Sequence, residues 1–130
     1  MRKPLVIIES PYRGPGARLR SENMEYARSC LRDSLMRGEA PIASHLLYPQ
    51  VLNDDVQEER DLGIECGLAW KHVCDLHVFY TDLGWSTGML LAYIDQKAEG
   101  KPSELRSLYG EGCIRLPTEH LKPIESESTS

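Results

Sequence analysis

Two short apolar runs, Pro4 to Glu9 ("PLVIIE") and Asp75 to Asp82 ("DLHVFYTD"), each give way to a glycine-bearing loop and then to a stretch of helical character. A run of this length, rich in β-branched and aromatic residues and bounded by turn residues, reads as a buried strand. A strand that passes through a loop into a helix is half of a βαβ unit. Repeated along a chain, that order favours a parallel sheet covered by helices.

The remaining segments fit the same order. From Glu22 to Arg37 the apolar positions Met24, Ala27, Leu31 and Leu35 recur at three- and four-residue spacing, with Gly38 as a stop and Ser21 placed to cap the start. A short second strand is expected around Pro41 to Ser44, then a helix from about Val56 to Val73. Gly63 and Gly67 interrupt that helix, so either close packing or a break into two pieces is expected there. "LGWSTG" opens a further helix running to about Glu99, and Pro102 to Leu108 supplies a fourth strand. The expected fold is α/β: a flavodoxin-like or Rossmann-like doubly wound parallel sheet of four to five strands in three α/β/α layers. Residues 1–109 form the domain, and 110–130, ending in "PIESESTS", read as a polar, partly disordered tail.

Composition narrows the function classes. A chain of 130 residues with 41% hydrophobic and 27% charged residues suits one globular domain. Neither "PLVII" nor "GMLLAYI" approaches the roughly 20 apolar residues that span a bilayer, and the amino terminus shows no signal-peptide pattern. A cytoplasmic protein with no membrane partner is therefore expected. The net charge of −5 argues against a nucleic-acid partner, which calls for a basic surface. Cys30, Cys66, Cys74 and Cys113 are widely spaced with no zinc-type pairing, so reduced thiols with packing roles and no metal are expected.

Ligands of open parallel sheets bind beyond the carboxyl ends of the strands. The first such end carries Glu9, Ser10, Tyr12 and Arg13, the second Ser44, His45 and Tyr48, the third Asp82, Gly84, Trp85, Ser86 and Gly88. A carboxylate closing an apolar strand must be paired or face a cleft. Glu9 therefore either pairs with Arg13 or Arg60 or meets a ligand, gripping sugar hydroxyls or moving a proton, and Asp82 has the same two options. His45 is either a proton carrier or a hydrogen-bonded structural group. Ser86 and Gly88 either cap a helix or cradle a ligand. In the charged run "NDDVQEER", Asp54 or Asp55 is expected to cap the next helix with Glu58 favouring its dipole, while Arg60 reaches inward to a phosphate or a carboxylate. Trp70 reads as core, and Trp85 as a residue able to stack on a base.

With "IIESPYRG", Asn23 near the first helix, "VCDLHVFYTDLGWSTGM" and the closing "GKP", the chain resembles the nucleoside 2-deoxyribosyltransferase-like superfamily, small phage and bacterial proteins included, over about residues 4 to 107. The resemblance implies a flavodoxin-like sheet, a nucleoside or nucleotide ligand, chemistry at the N-glycosidic bond without a cofactor, and homodimers that complete one another's pockets. If the chain is an enzyme, Glu9 or Asp82 is the expected catalytic carboxylate, and Asn23 and the loop up to Met89 are expected to contact the ligand. One departure stands out. Family enzymes carry a nucleophilic glutamate on the helix after the last glycine-rich loop, and Ala92 falls at about that position. Either another carboxylate has taken over, or the domain binds a nucleotide-derived molecule, sequestering or sensing it, without cleaving it.

Overall fold

The computed structural model describes residues 2–12 and 16–110. Arg13, Cys113 and the expected tail from 111 onward lie outside the described residues. Along the chain run β1 (Leu5–Glu9), α1 (Gly16–Met36), β2 (Ala40–Ile42), the single-turn α2 (Ser44–Leu47), α3 (Gln57–Ala69), β3 (Leu76–Tyr80), α4 (Thr87–Ala98) and β4 (Ser103–Arg106). Short 3-10 turns follow α2 at Tyr48–Gln50 and α3 at Trp70–His72.

All four strands are parallel in the order β2-β1-β3-β4. This is the flavodoxin-like order with four strands, and it places the reversal of strand order between β1 and β3, where loops leave the sheet in opposite directions and a crevice opens. The register sets Ile7 beside His77 and Glu9 beside Phe79. Because side chains alternate across a strand, Val6, Ile8, Val78 and Tyr80 face one way and Ile7, Glu9, His77 and Phe79 the other.

The first face is the core. Val6, Ile8, Val78 and Tyr80 pack with Tyr26 and Cys30 of α1 and with Ala43 and Leu83. Val6, Ile8 and Val78 are essentially excluded from water, each stabilising the fold by roughly 1.5–3 kcal/mol. The second face lies under α3 and α4 and is less completely covered: Leu62, Ile64 and Leu68 of α3 and Leu90, Leu91 and Ile94 of α4 remain exposed.

Several local expectations need correction. Helix α1 begins at Gly16, so Ser21 lies inside it rather than capping it. The residue before α3 is Val56 with no side-chain cap, so neither Asp54 nor Asp55 serves. The polar side chains of that loop bind its own backbone instead: Asn53 N–H donates to Glu59, and Asp55 N–H donates to the Asn53 side chain. Trp70 is not core; it is exposed, its indole N–H donating to the Tyr48 hydroxyl. Helix α3 is unbroken across Gly63 and Gly67, and close packing is the outcome at Gly67. Cys30 is buried in the core, and Cys66 and Cys74 are half-buried free thiols.

Candidate functional site

A cavity of about 510 Å³ lies over β1 and β3 on the second face of the sheet. Ile7, Glu9, Ser10 and His77 form its floor; Ser44 and His45 of α2 stand at one side. Ile64, Gly67 and Leu68 of α3 make one wall, and Gly88, Leu91 and Ala92 of α4 the other. The cavity thus sits at the reversal point between β1 and β3.

Alternation along β3 sends His77 to the same face as Glu9. The His77 ring is almost wholly buried, stacked on Phe79 at 4.9 Å, and its Nε2 lies 2.8 Å from Glu9 Oε2. Its Nδ1 is buried without a partner. The hydrogen-bond geometry therefore assigns the ring proton to Nε2, from which it donates to the carboxylate. Glu9 is held by one oxygen while the residue stays on the cavity floor, about a quarter of its side chain exposed. Of the alternatives for Glu9, pairing with Arg60 is not realised and His77 is its hydrogen-bond partner, while Arg13 lies outside the described residues.

A second polar pair lies beside the first. Ser10 Oγ and His45 Nε2 are 2.8 Å apart, with the Tyr12 ring edge-on to the imidazole. Burial pushes the His45 pKa below its ordinary value, opposed by the nearby Glu9 charge, so the ring is uncharged at neutral pH. At the far end of the cavity Lys71 forms an ion pair with Asp95 and approaches Glu99 at 3.6 Å, tying the turn after α3 to α4. The hydrogen bond to Asp95 raises the Lys71 pKa, and the same contact lowers that of Asp95.

Of the residues singled out in the sequence, Glu9, Ser10, Ser44, His45 and Gly88 come together here, and Ala92 faces the same space. Tyr12 and Arg60 line a smaller pocket that shares Ser44, His45 and Ile64 with the main one. The others have different surroundings. Asp82 accepts from the Tyr26 and Ser107 hydroxyls and from the Leu108 and Tyr109 N–H groups. Burial alone would raise its pKa, but these donors outweigh it and hold the carboxyl below the usual range. Ser86 caps α4, accepting from Met89 N–H at 3.2 Å, and Met89 is buried. Gly84 turns the chain at φ +90°, a conformation that favours glycine. Trp85 stacks on Phe79 and meets Tyr93 edge-on, so protein rings occupy it. Asn23 is buried within α1 and donates to the Tyr12 carbonyl.

His77, Lys71 and Asp95 are polar cavity residues that the sequence pattern did not single out. For His77 a signal existed: in "DLHVFY" it is the polar residue on one of two alternating faces. Lys71 and Asp95 meet only through tertiary packing.

A family model described as a domain of unknown function, DUF7768, matches residues 4–106. No curated protein matches the chain. Among solved structures, a 2-deoxyribosyltransferase from Bacillus psychrosaccharolyticus is similar at a TM-score of 0.55 and 16% identity, over 84% of this chain and 76% of that one. At that identity the likeness shows a shared fold.

Proposed function

This chain belongs to the DUF7768 family, and we propose that its main cavity binds a nucleoside- or nucleotide-type ligand, with Glu9 acting on the sugar. The single observation that carries this reading is the Glu9–His77 pair on the floor of a large cavity at the reversal point of the sheet. His77 holds one carboxylate oxygen and leaves the other able to accept from hydroxyl groups. Apolar side chains of Ile64, Leu68 and Leu91 suit a flat base, and the uncharged Ser10–His45 pair suits further polar atoms. The fold shared with a 2-deoxyribosyltransferase supports the ligand class.

Where the ligand carries a labile N-glycosidic bond, Glu9 serves as general base. Water attacks the anomeric carbon, its proton passes to Glu9, the C–N bond breaks, and the departing base takes a proton from solvent. Ala92 offers no nucleophile, so the reaction is a direct displacement without a glycosyl-enzyme intermediate. The same alanine favours a second reading, in which the domain holds a nucleotide-derived ligand intact. A second copy of the chain covers the exposed apolar faces of α3 and α4 and closes the cavity as a homodimer.

The test is incubation with nucleosides, nucleotides, NAD and cyclic nucleotides, followed by chromatography and melting curves. Released free base supports hydrolysis. Ligand recovered intact with a raised melting temperature supports retention, since saturation at a hundredfold Kd adds about 2.7 kcal/mol. Glu9→Gln weakens either outcome; unaltered behaviour removes Glu9 from the site, and no response to any compound overturns the ligand class.

A further inference from the structure

The smaller pocket, about 70 Å³, opens beside the main cavity where α2, the loop before α3 and the first turn of α3 meet. Ser44, His45 and Ile64 belong to both spaces, so one ligand can extend from the larger into the smaller. Its volume suits a compact substituent rather than a ring system.

Arg60 gives this pocket its chemistry. A guanidinium is charged at every relevant pH and carries five donors. Here Nη2 is buried and has no hydrogen-bond partner, although Asp54 and Glu59 line the same pocket. Glu59 is occupied in accepting the Asn53 N–H at 2.6 Å. A buried charged donor left unpaired is costly, and an oxyanion entering the pocket removes that cost. The Tyr48 hydroxyl, which lines the same pocket, accepts from the Trp70 indole and so keeps its own proton available to an oxyanion.

We propose that the Arg60 pocket is an oxyanion subsite that receives the phosphoryl group of a nucleotide whose nucleoside part occupies the main cavity. The planar guanidinium fork matches phosphate oxygens, and two charge-assisted hydrogen bonds there distinguish a nucleotide from its parent nucleoside. This inference rests on the nucleoside-type reading of the main cavity and adds the class of substituent that the ligand bears.

Calorimetric titration of the full chain with a nucleoside and with its 3′- and 5′-monophosphates tests it. One monophosphate binds about tenfold or more tightly than the nucleoside, the scale expected when a charge-assisted pair replaces an unpaired donor. In Arg60→Gln that preference collapses towards unity while nucleoside affinity is kept; Arg60→Lys keeps part of it. Inorganic phosphate, titrated into the unaltered protein, competes with the monophosphate. Equal binding of nucleoside and monophosphates, or a preference that survives Arg60→Gln, overturns the subsite and leaves the nucleoside reading standing. Failure of nucleoside and monophosphates alike overturns both.

Discussion

Arg106, the last residue of β4, is the residue most exposed to the consequences of losing a partner. Its side chain is 4% accessible and donates twice to Glu39, itself 13% accessible, as well as to the Tyr80 hydroxyl and to Glu104. Ser34 adds a further donor to Glu39, and Tyr80 donates to Asp33. Removing one member of a buried ion pair strands the other. Arg106→Met is therefore expected to lower the unfolding free energy by about 3 kcal/mol in urea titrations, and Glu39→Gln by less, because Arg106 keeps its ion pair with Glu104. Hydrogen bonds from Arg106 hold the Glu39 carboxyl below its ordinary value, so the folded state binds fewer protons than the unfolded one. Stability from this pair is complete above about pH 4.5, the ordinary glutamate value, and declines as pH falls through the depressed folded value. His45 acts in the same direction at higher pH. Its pKa is lowered by burial, so below its ordinary 6.5 the unfolded chain takes up a proton that the folded chain refuses. A first decline beginning near pH 6.5, absent in His45→Asn, and a second below about pH 4.5, reduced in Glu39→Gln but not abolished because Asp33, Asp82 and Asp95 are also held below their ordinary values, are expected from denaturation across pH.

Helix α3 shows what one element contributes to the cavity, because two glycines a turn apart face different neighbours. A Cβ at Gly67 would lie 2.7 Å from Ser44 Oγ and 3.2 Å from Ser44 Cβ, whereas one at Gly63 would lie 3.4 Å from Leu52 and 3.7 Å from Tyr48. Rotation of the Ser44 hydroxyl cannot relieve the contact with its own Cβ. Gly67→Ala should therefore destabilise by about 1–3 kcal/mol despite the better helix propensity of alanine, and should weaken ligand binding by pushing α3 away from α2. Gly63→Ala meets only ordinary contacts and should stabilise by about 0.5–1 kcal/mol. Melting temperatures moving the same way in both variants would refute the close approach. The sequence exposed the tension at these positions but not its resolution, since the neighbour, Ser44, is distant in the chain. Strands β1 and β3 were legible from short runs rich in β-branched and aromatic residues, and the Ser86 cap from its place before a helical stretch. The start of α1 was not, because its first turn has no acidic residue to mark it. Half of the site was readable as strand-end polar groups; His77 depended on a strand register, and Lys71 with Asp95 on helix placement, neither of which one sequence encodes locally.

At the scale of the whole molecule, the alternation of strands and helices was enough to anticipate a parallel sheet, and the order β2-β1-β3-β4 then determines where a crevice must open. What alternation could not reveal is how unequally the two faces are covered. The α1 side is closed, whereas on the other side Ile64 and Leu68 of α3 and Leu90, Leu91 and Ile94 of α4 keep between 41% and 59% of their surface. Leu68 and Leu91 also line the cavity, so the apolar rim and the opening are one surface. Exposed apolar side chains beside a cavity suit the second copy of the chain proposed above, and a stable partner typically covers about 800 Å² on each side. A second copy seated there would exclude water from the Glu9–His77 pair and strengthen its hydrogen bonds to a ligand. Light scattering after size exclusion should accordingly give the mass of a dimer. Leu90→Glu with Ile94→Glu, neither of which lines the cavity, should give a folded monomer with weaker ligand binding. Because the partner then contributes to the site, affinity in the unaltered protein should rise with protein concentration until the dimer saturates. A monomer that binds its ligand equally well at all concentrations would show instead that one chain forms the complete site.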